Sequence, residues 1–233
     1  MDREVFLGCS GLTSVTFSGK DKATVQDMEN YSWSLRSSCV LHCTDGDIIV
    51  GYETKVTYQN GDVVEYDISG ELARGQISGL TSIVSLEIGS GVTGLATNSF
   101  YSCINLSSVT IPDSVSSIGN SAFKNCYKLT SISLPDSVTN LSSSTFYDCT
   151  SLKSASLGNG LSAVPGAIFS GCSNLSSVTL PMNAVVLGEG AFGGCASLRS
   201  IDIPDSVSSL NNSVFRNCYN LVDVHMPSSL KII

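Results

Sequence analysis

Charge is scarce in this chain, and positive charge is scarcest. Asp, Glu, Lys and Arg make up 14% of its 233 residues, with 12 Lys and Arg against 20 Asp and Glu, for a net charge of −8. Scattered cations on an acidic background give no electrostatic footprint for nucleic acid and no attraction to an anionic membrane surface. No apolar run approaches the roughly 18 residues of a membrane-spanning helix. The N-terminus, MDREVFLGCS, lacks the long apolar segment of a signal peptide. Aromatics are also thin, at 7%, and small and hydroxyl residues take their place. That composition suits narrow coils whose side chains either pack inward or sit on tight turns. The hydrophobic share, 42%, is still enough for a sizeable core.

What the chain does have is a period. Phe100, Cys103, Leu106, Val109, Ile111, Pro112, Val115 and Ile118 form a frame that returns 23 residues later as Phe123, Cys126, Leu129, Ile132, Leu134, Pro135, Val138 and Leu141. It returns again from Phe146, Phe169, Phe192 and Phe215. A fixed period in this range predicts a solenoid, in which each coil buries its apolar face only against its neighbours. Alternation turns Val109 and Ile111 inward and Ser108 and Thr110 outward, so stacked strands form a parallel sheet. The segment Ser117 to Phe123 then turns back with one helical or 3₁₀ turn.

Cysteine follows the same frame. Cys9, Cys103, Cys126, Cys149, Cys172, Cys195 and Cys218 occupy one slot, which Leu80 fills in an earlier coil. A slot that accepts leucine reads as a buried, unbonded thiol ladder. Coils about 4.8 Å apart also bring neighbouring thiols close, which leaves pairwise disulfides as the alternative.

In chain order, residues 1–17 are a partial repeat and 77–233 are six full repeats and one truncated repeat. Residues 18–76 form an insert outside the frame. Within it, residues 23–35 (ATVQDMENYSWSL) have near-helical apolar spacing. CVLHC, DIIVGY, TKVTY and DVVEYDI read as a β-meander, with Asp45-Gly46 and Asn60-Gly61 as tight turns. The second turn predicts Gln59 opposite Asp62 and Tyr58 opposite Val63. The chain opens in mid-frame, as a trimmed chain, a fragment or an intracellularly assembled protein would. No polar coil closes its C-terminal end, so end-to-end self-association through the uncapped last repeat is expected.

The frame Cys-x-x-Leu-x-x-Val-x-Ile-Pro-x-x-Val-x-x-Ile-(x)4-Phe resembles the 23-residue, Treponema-type leucine-rich repeats of BspA-like bacterial and protist surface proteins. The likeness covers residues 5–17 and 77–233. It implies an α/β repeat solenoid, a right-handed superhelix with a concave parallel sheet, here with an inserted short helix and β-meander. It also implies an extracellular or cell-surface location, adhesion to host matrix or other cells, and no catalytic residues.

Candidate binding residues follow from the outward positions. One column of the sheet reads Glu87, Thr110, Ser133, Ser156, Thr179, Asp202 and His225; a second runs through Ser85, Ser108, Ser131, Ser154, Ser177 and Ser200 to Asp223. The hydroxyl ladder offers wide, weak complementarity, or simply fits a tightly spaced sheet. Asp202, Asp223 and His225 break it and are the expected place for selective contacts, with a pH dependence between about 5 and 8 if the histidine takes part. Tyr101, Tyr127 and Tyr147, with Lys124, Lys128 and Arg216 nearby, form a second candidate set.

Three constellations have simpler readings. Asp202, His225 and Ser200 could be taken for a hydrolase triad, but no nucleophile elbow accompanies them. Cys39 and Cys43 lie about 13 Å apart along a strand, too far for one metal. Asp113 and Asp136 read as turn caps before they read as a calcium site. No cofactor is implied. The predicted function is a non-enzymatic module binding a protein or glycan ligand; a structural or docking part of a larger assembly, such as a phage tail or surface layer, is the other reading.

Overall fold

The computed structural model describes residues 14–16, 39–43, 46–50 and 53–231, with side chains from Thr54 onward. The chain divides into two compact units, Met1–Glu53 and Thr54–Ile233. In the first, β1 (Ser14–Thr16) runs parallel to β2 (Cys39–Cys43), which pairs antiparallel with β3 (Gly46–Val50). Strands therefore form at CVLHC and DIIV as expected, with Cys43 opposite Gly46; of the expected Asp45-Gly46 turn, Gly46 lies in β3 and Asp45 outside the described residues. The helix expected over residues 23–35, and the side chains of Cys39, His42 and Cys43, lie outside the described residues.

The second unit is a solenoid of stacked coils. Its main strand column contains β7 (Ile83–Glu87), β9 (Ser108–Thr110), β11 (Ser131–Ser133), β13 (Ser154–Ser156), β14 (Ser177–Thr179), β16 (Ser200–Asp202) and β18 (Asp223–His225). Pairing is parallel, with partners 23 residues apart: Ser131↔Ser154↔Ser177 and Asp202↔His225. A second column joins β6 (Gly70–Leu72), β8 (Val92–Leu95), β10 (Ser117–Ile118) and β12 (Asn140–Leu141). Further along it, β15 (Val186–Leu187) pairs with β17 (Ser209–Leu210).

The core is a set of ladders. Phe100, Phe123, Phe146, Phe169, Phe192 and Phe215 stack with centroids 5.4–5.8 Å apart. This offset-parallel geometry follows from the coil spacing and is one that aromatic pairs favour. Leu106, Leu129, Leu152, Leu175 and Leu198 are fully buried beside them, as are Cys103 to Cys195 of the frame. Cys103, Cys126, Cys149, Cys172, Cys195 and Cys218 carry free thiols.

The α component of the α/β expectation is corrected. Among the described residues the one helical segment is a 3₁₀ turn at Leu80–Ser82. The return face of each coil is instead a pair of turns with left-handed residues at two frame positions: Asn98 and Ser102, Ser121 and Asn125, Ser144 and Asp148, Ala167 and Gly171, Gly190 and Gly194, Ser213 and Asn217. A left-handed residue every fourth position forbids an α-helix. It also turns alternate N–H groups toward the next coil: Asn98, Phe100 and Ser102 donate to the carbonyls of Asn120, Ala122 and Lys124 at 2.8–2.9 Å. Hydrogen bonds that a helix would make within itself are made between coils, satisfying the backbone as the stack requires.

A hairpin precedes the first full coil. Strand β4 (Glu53–Tyr58) pairs antiparallel with β7, placing Val56 opposite Leu86, both fully buried; β5 (Val63–Asp67) lies beyond it. Its turn differs from expectation by one residue. The Tyr58 N–H donates to the Asp62 carbonyl, and the Gly61 N–H to the Tyr58 carbonyl, both at 2.9 Å. The loop thus has Gln59, Asn60 and Gly61, the last at φ +88°. A left-handed third residue is what a three-residue hairpin loop needs. The Asn60 carboxamide favours it by accepting the Asp62 N–H at 3.1 Å and donating to its carboxylate at 2.7 Å. Tyr58 and Tyr66 share a hydrogen bond of 2.7 Å over Ser78. Burial and the bond to Tyr66 push the Tyr58 phenol up to about 12, while hydrogen bonds with Ser78 and Tyr58 lower that of Tyr66.

Candidate functional site

The strand column has one outward face, and the sequence-predicted residues line it. Thr110, Ser133, Thr179, Asp202, Asp223, His225 and Glu87 are exposed, and Ser156 is half-buried. Between the two outward positions of each strand lies an inward one: Ile132, Ala155 and Ile201 are each 4% exposed. The alternation read from the sequence is the alternation in the fold. Register brings Asp202 beside His225 and Ser200 beside Asp223 on β16 and β18. This places three chargeable side chains on two neighbouring strands, after a run of hydroxyls. Within the run, Ser108 donates to Ser85 Oγ at 3.0 Å.

At the other end the face begins earlier than the repeat frame suggests. Lys55 on β4 lies opposite Glu87. Its Nζ is 3.3 Å from Glu65 Oε1, an exposed pair. The sheet therefore opens with Glu65, Lys55 and Glu87 in succession. Lys55 and Glu65 fall outside the 23-residue frame; the hairpin's own alternation was the signal that could have found them.

The three tyrosines do not form one site. Tyr101 and Tyr147 occupy one frame position two coils apart, whereas Tyr127 shares a different position with the exposed Ile104 and Tyr219. Each of the first two is covered on one side by a cation: Arg74 stands 5.8 Å from the Tyr101 ring centre, and Lys124 stands 4.5 Å from that of Tyr147. Tyr127 is 42% exposed.

Many other hydroxyls and amides are taken up in holding coils together. Ser114, Ser137 and Ser206 donate to Val92, Val115 and Ala184 carbonyls at 2.6–2.9 Å. Asn105, Asn174 and Asn220 do the same to Thr81, Thr150 and Ala196 at 2.7–2.8 Å. Asp136 accepts the N–H of Asn159 at 2.7 Å, and Asn159 that of Met182 at 3.1 Å, so this column caps turns across coils.

The BspA type leucine rich repeat region, in six copies, matches residues 77–165 and 156–233. A leucine rich cell surface protein from Faecalibacterium prausnitzii is similar at 32% identity and a TM-score of 0.61, over 73% of this chain and 45% of that one. The leucine rich repeat protein of T. pallidum is similar at 30% identity and a TM-score of 0.65, over 78% of this chain and 83% of its own. A leucine-rich repeat protein from Bacteroides ovatus aligns over 95% of this chain and 56% of its own, at 25% identity and a TM-score of 0.59. The chain thus spans less than half of the first of these and about half of the third. No curated protein matches the sequence.

Proposed function

The chain belongs to the BspA-type leucine-rich repeat family, and we propose that it acts as a non-enzymatic adhesion module at a cell surface. It would recognise a protein or glycan surface through the outward face of the strand column. Its coils are wound right-handed in this reading, the hand that twisted parallel strands favour. The surface location rests on the family and on the similar protein of F. prausnitzii, whose description is a cell surface protein. Among the described residues no helix is long and apolar enough to cross a membrane.

The observation that carries the proposal is the register on β16 and β18. Thr110, Ser133, Ser156 and Thr179 repeat one chemistry along the face and so select little. Asp202, Asp223 and His225 depart from it together, on adjacent strands. Selective contacts concentrate there, and the hydroxyl run adds wide, weak complementarity. The test is binding of the whole chain to immobilised extracellular-matrix proteins and to a glycan array. The paired substitution Asp202→Ser and His225→Thr restores the hydroxyl chemistry of the column without touching the core. Loss of binding in that variant supports the proposal; unchanged binding would place recognition elsewhere.

A further inference from the structure

The turn face carries a groove that neither the repeat frame nor the family explains. One column of this face reads Tyr101, Lys124, Tyr147, Ser170, Gly193 and Arg216, each on the coil after the last. Long side chains fill the column up to Tyr147 and again at Arg216. Ser170 and Gly193 leave it vacant over two coils. The resulting cleft has a volume of about 720 Å³, lined by Tyr147, Ser170, Glu189, Gly193, Arg216 and Asn217 among others. That lies within the roughly 300–1,000 Å³ of small-molecule clefts. Its ends, Tyr147 and Arg216, are three coils or about 14 Å apart.

The walls define the chemistry. Lys124 sits over one face of the Tyr147 ring, on the side of the preceding coil. Tyr147 itself lines the vacancy together with Ser170. The floor has little to offer an extended peptide, because its N–H groups are used between coils. Gly171 donates to Gly193, Gly190 to Asn212 and Gly194 to Arg216, at 2.7–3.0 Å. A β-ladder cannot form on such a floor. What remains is the aromatic ring of Tyr147, an acceptor-only carboxylate at Glu189, a donor-only guanidinium at Arg216, and the hydroxyls of Ser143, Ser170 and Ser213 with the Asn217 amide, which do both. Sugar hydroxyls also donate and accept, and the C–H face of a pyranose carries the partial positive charge that complements an aromatic face.

We propose that this groove is a binding site for a short, uncharged oligosaccharide, with one pyranose ring stacked on Tyr147 and hydroxyls of the next held between Glu189 and Arg216. It is separate from the strand face, so the chain carries two recognition surfaces on different sides of its coils.

The fold supplies the variants for a test. Lys124 and Arg216 show that the frame position of Gly193 accepts a long side chain. An added Cβ there meets nothing nearer than the Gly190 oxygen at 3.3 Å. Gly193→Arg should therefore fill the groove and leave the melting temperature in place. Ser170→Tyr, repeating the residue of Tyr147, is an independent filling variant. The probes are a neutral oligosaccharide array, followed by titration of its strongest hits, with a lysine-rich decapeptide in parallel. Saturable oligosaccharide binding, lost in either folded filling variant, supports the site. Tyr147→Ala should weaken it by about tenfold or more, the order expected of lost ring stacking, and Tyr147→Phe should retain it. The proposal is overturned by an array with no hit, by hits that survive both filling variants, or by binding of the decapeptide alone. Binding that survives these variants but is lost in Asp202→Ser with His225→Thr belongs to the strand face and equally overturns the groove.

Discussion

Cys172 donates its thiol hydrogen to the carbonyl oxygen of Phe146, one coil earlier, across 3.1 Å. Cys126, Cys149, Cys195 and Cys218 make the same bond to Phe100, Phe123, Phe169 and Phe192, at 3.1–3.5 Å. The slot therefore asks for more than a small hydrophobe. It takes a side chain that fits beside the phenylalanine ladder and brings one weak donor to a carbonyl. Leu80 fills the volume without the bond.

The ladder predicts a pH dependence. Burial pushes the Cys103 thiol up to about 12 and also raises those of Cys126, Cys172, Cys195 and Cys218. In the unfolded chain a thiol ionises near about 8.5. Above that pH the unfolded state releases protons that the folded state keeps. Their contribution is present in full below about pH 8.5 and is lost as the pH climbs toward the folded values. A fully buried thiol such as Cys172 contributes a slope of at most about 1.4 kcal/mol per pH unit in that window, and the partly exposed Cys218 less. Urea unfolding at about pH 8 and about pH 10 should show the decline, and Cys172→Ala should make it shallower by one proton. Equal slopes would mean that Cys172 ionises within the fold.

Ser99 predicts a gain in stability on truncation. Its hydroxyl is 1% exposed and without a hydrogen-bond partner. At the same frame position Ala122 and Ala191 present only a methyl group, and Thr145 donates to Ser142 at 2.6 Å. Ser99→Ala removes a desolvated polar group and should stabilise the chain by about 1 kcal/mol. A lower melting temperature would show that the hydroxyl is engaged.

Ala167 predicts a gain from backbone freedom. It holds φ +52°, whereas Gly190, one coil on, meets the same demand at +60° without a Cβ. Ala167→Gly relieves the left-handed penalty and gives back part of it as unfolded-chain entropy, for a net gain of roughly 0.5–1 kcal/mol. Denaturant unfolding measures it; a loss of stability would mean that the Ala167 methyl packs more favourably than its backbone is strained.

The repeat frame made the coil register, the phenylalanine and cysteine ladders and the inward and outward positions of the strand face legible, because each depends on residue type at a fixed spacing. The turn face was not legible in the same way. Its left-handed positions hold Asn, Ser, Asp, Ala and Gly. Only part of that set signals positive φ, and SIGNSAF can equally be read as a helical turn. The hairpin was legible as a hairpin, but Asn60-Gly61 suits both two- and three-residue loops, and its side-chain bonds to Asp62 decide between them. The binding candidates were legible as positions. The groove beside Tyr147 was not, since it consists of what Ser170 and Gly193 leave out.

The left-handed turns have one more effect. On the turn face the N–H groups of Asn98, Phe100 and Ser102 all point to the following coil, and the equivalent groups do so through Gly190, Phe192 and Gly194. Peptide dipoles aligned in this way add along the stack, as they do along a helix axis, whereas those of the strand column largely cancel. The solenoid is thus electrically directional. Its negative pole faces the hairpin, where Arg74 donates to the carbonyls of Tyr101 at 2.8 Å and Asn98 at 3.1 Å. A cation closes that pole, the opposite pole favours an anion, and every added coil lengthens the dipole without changing its sense.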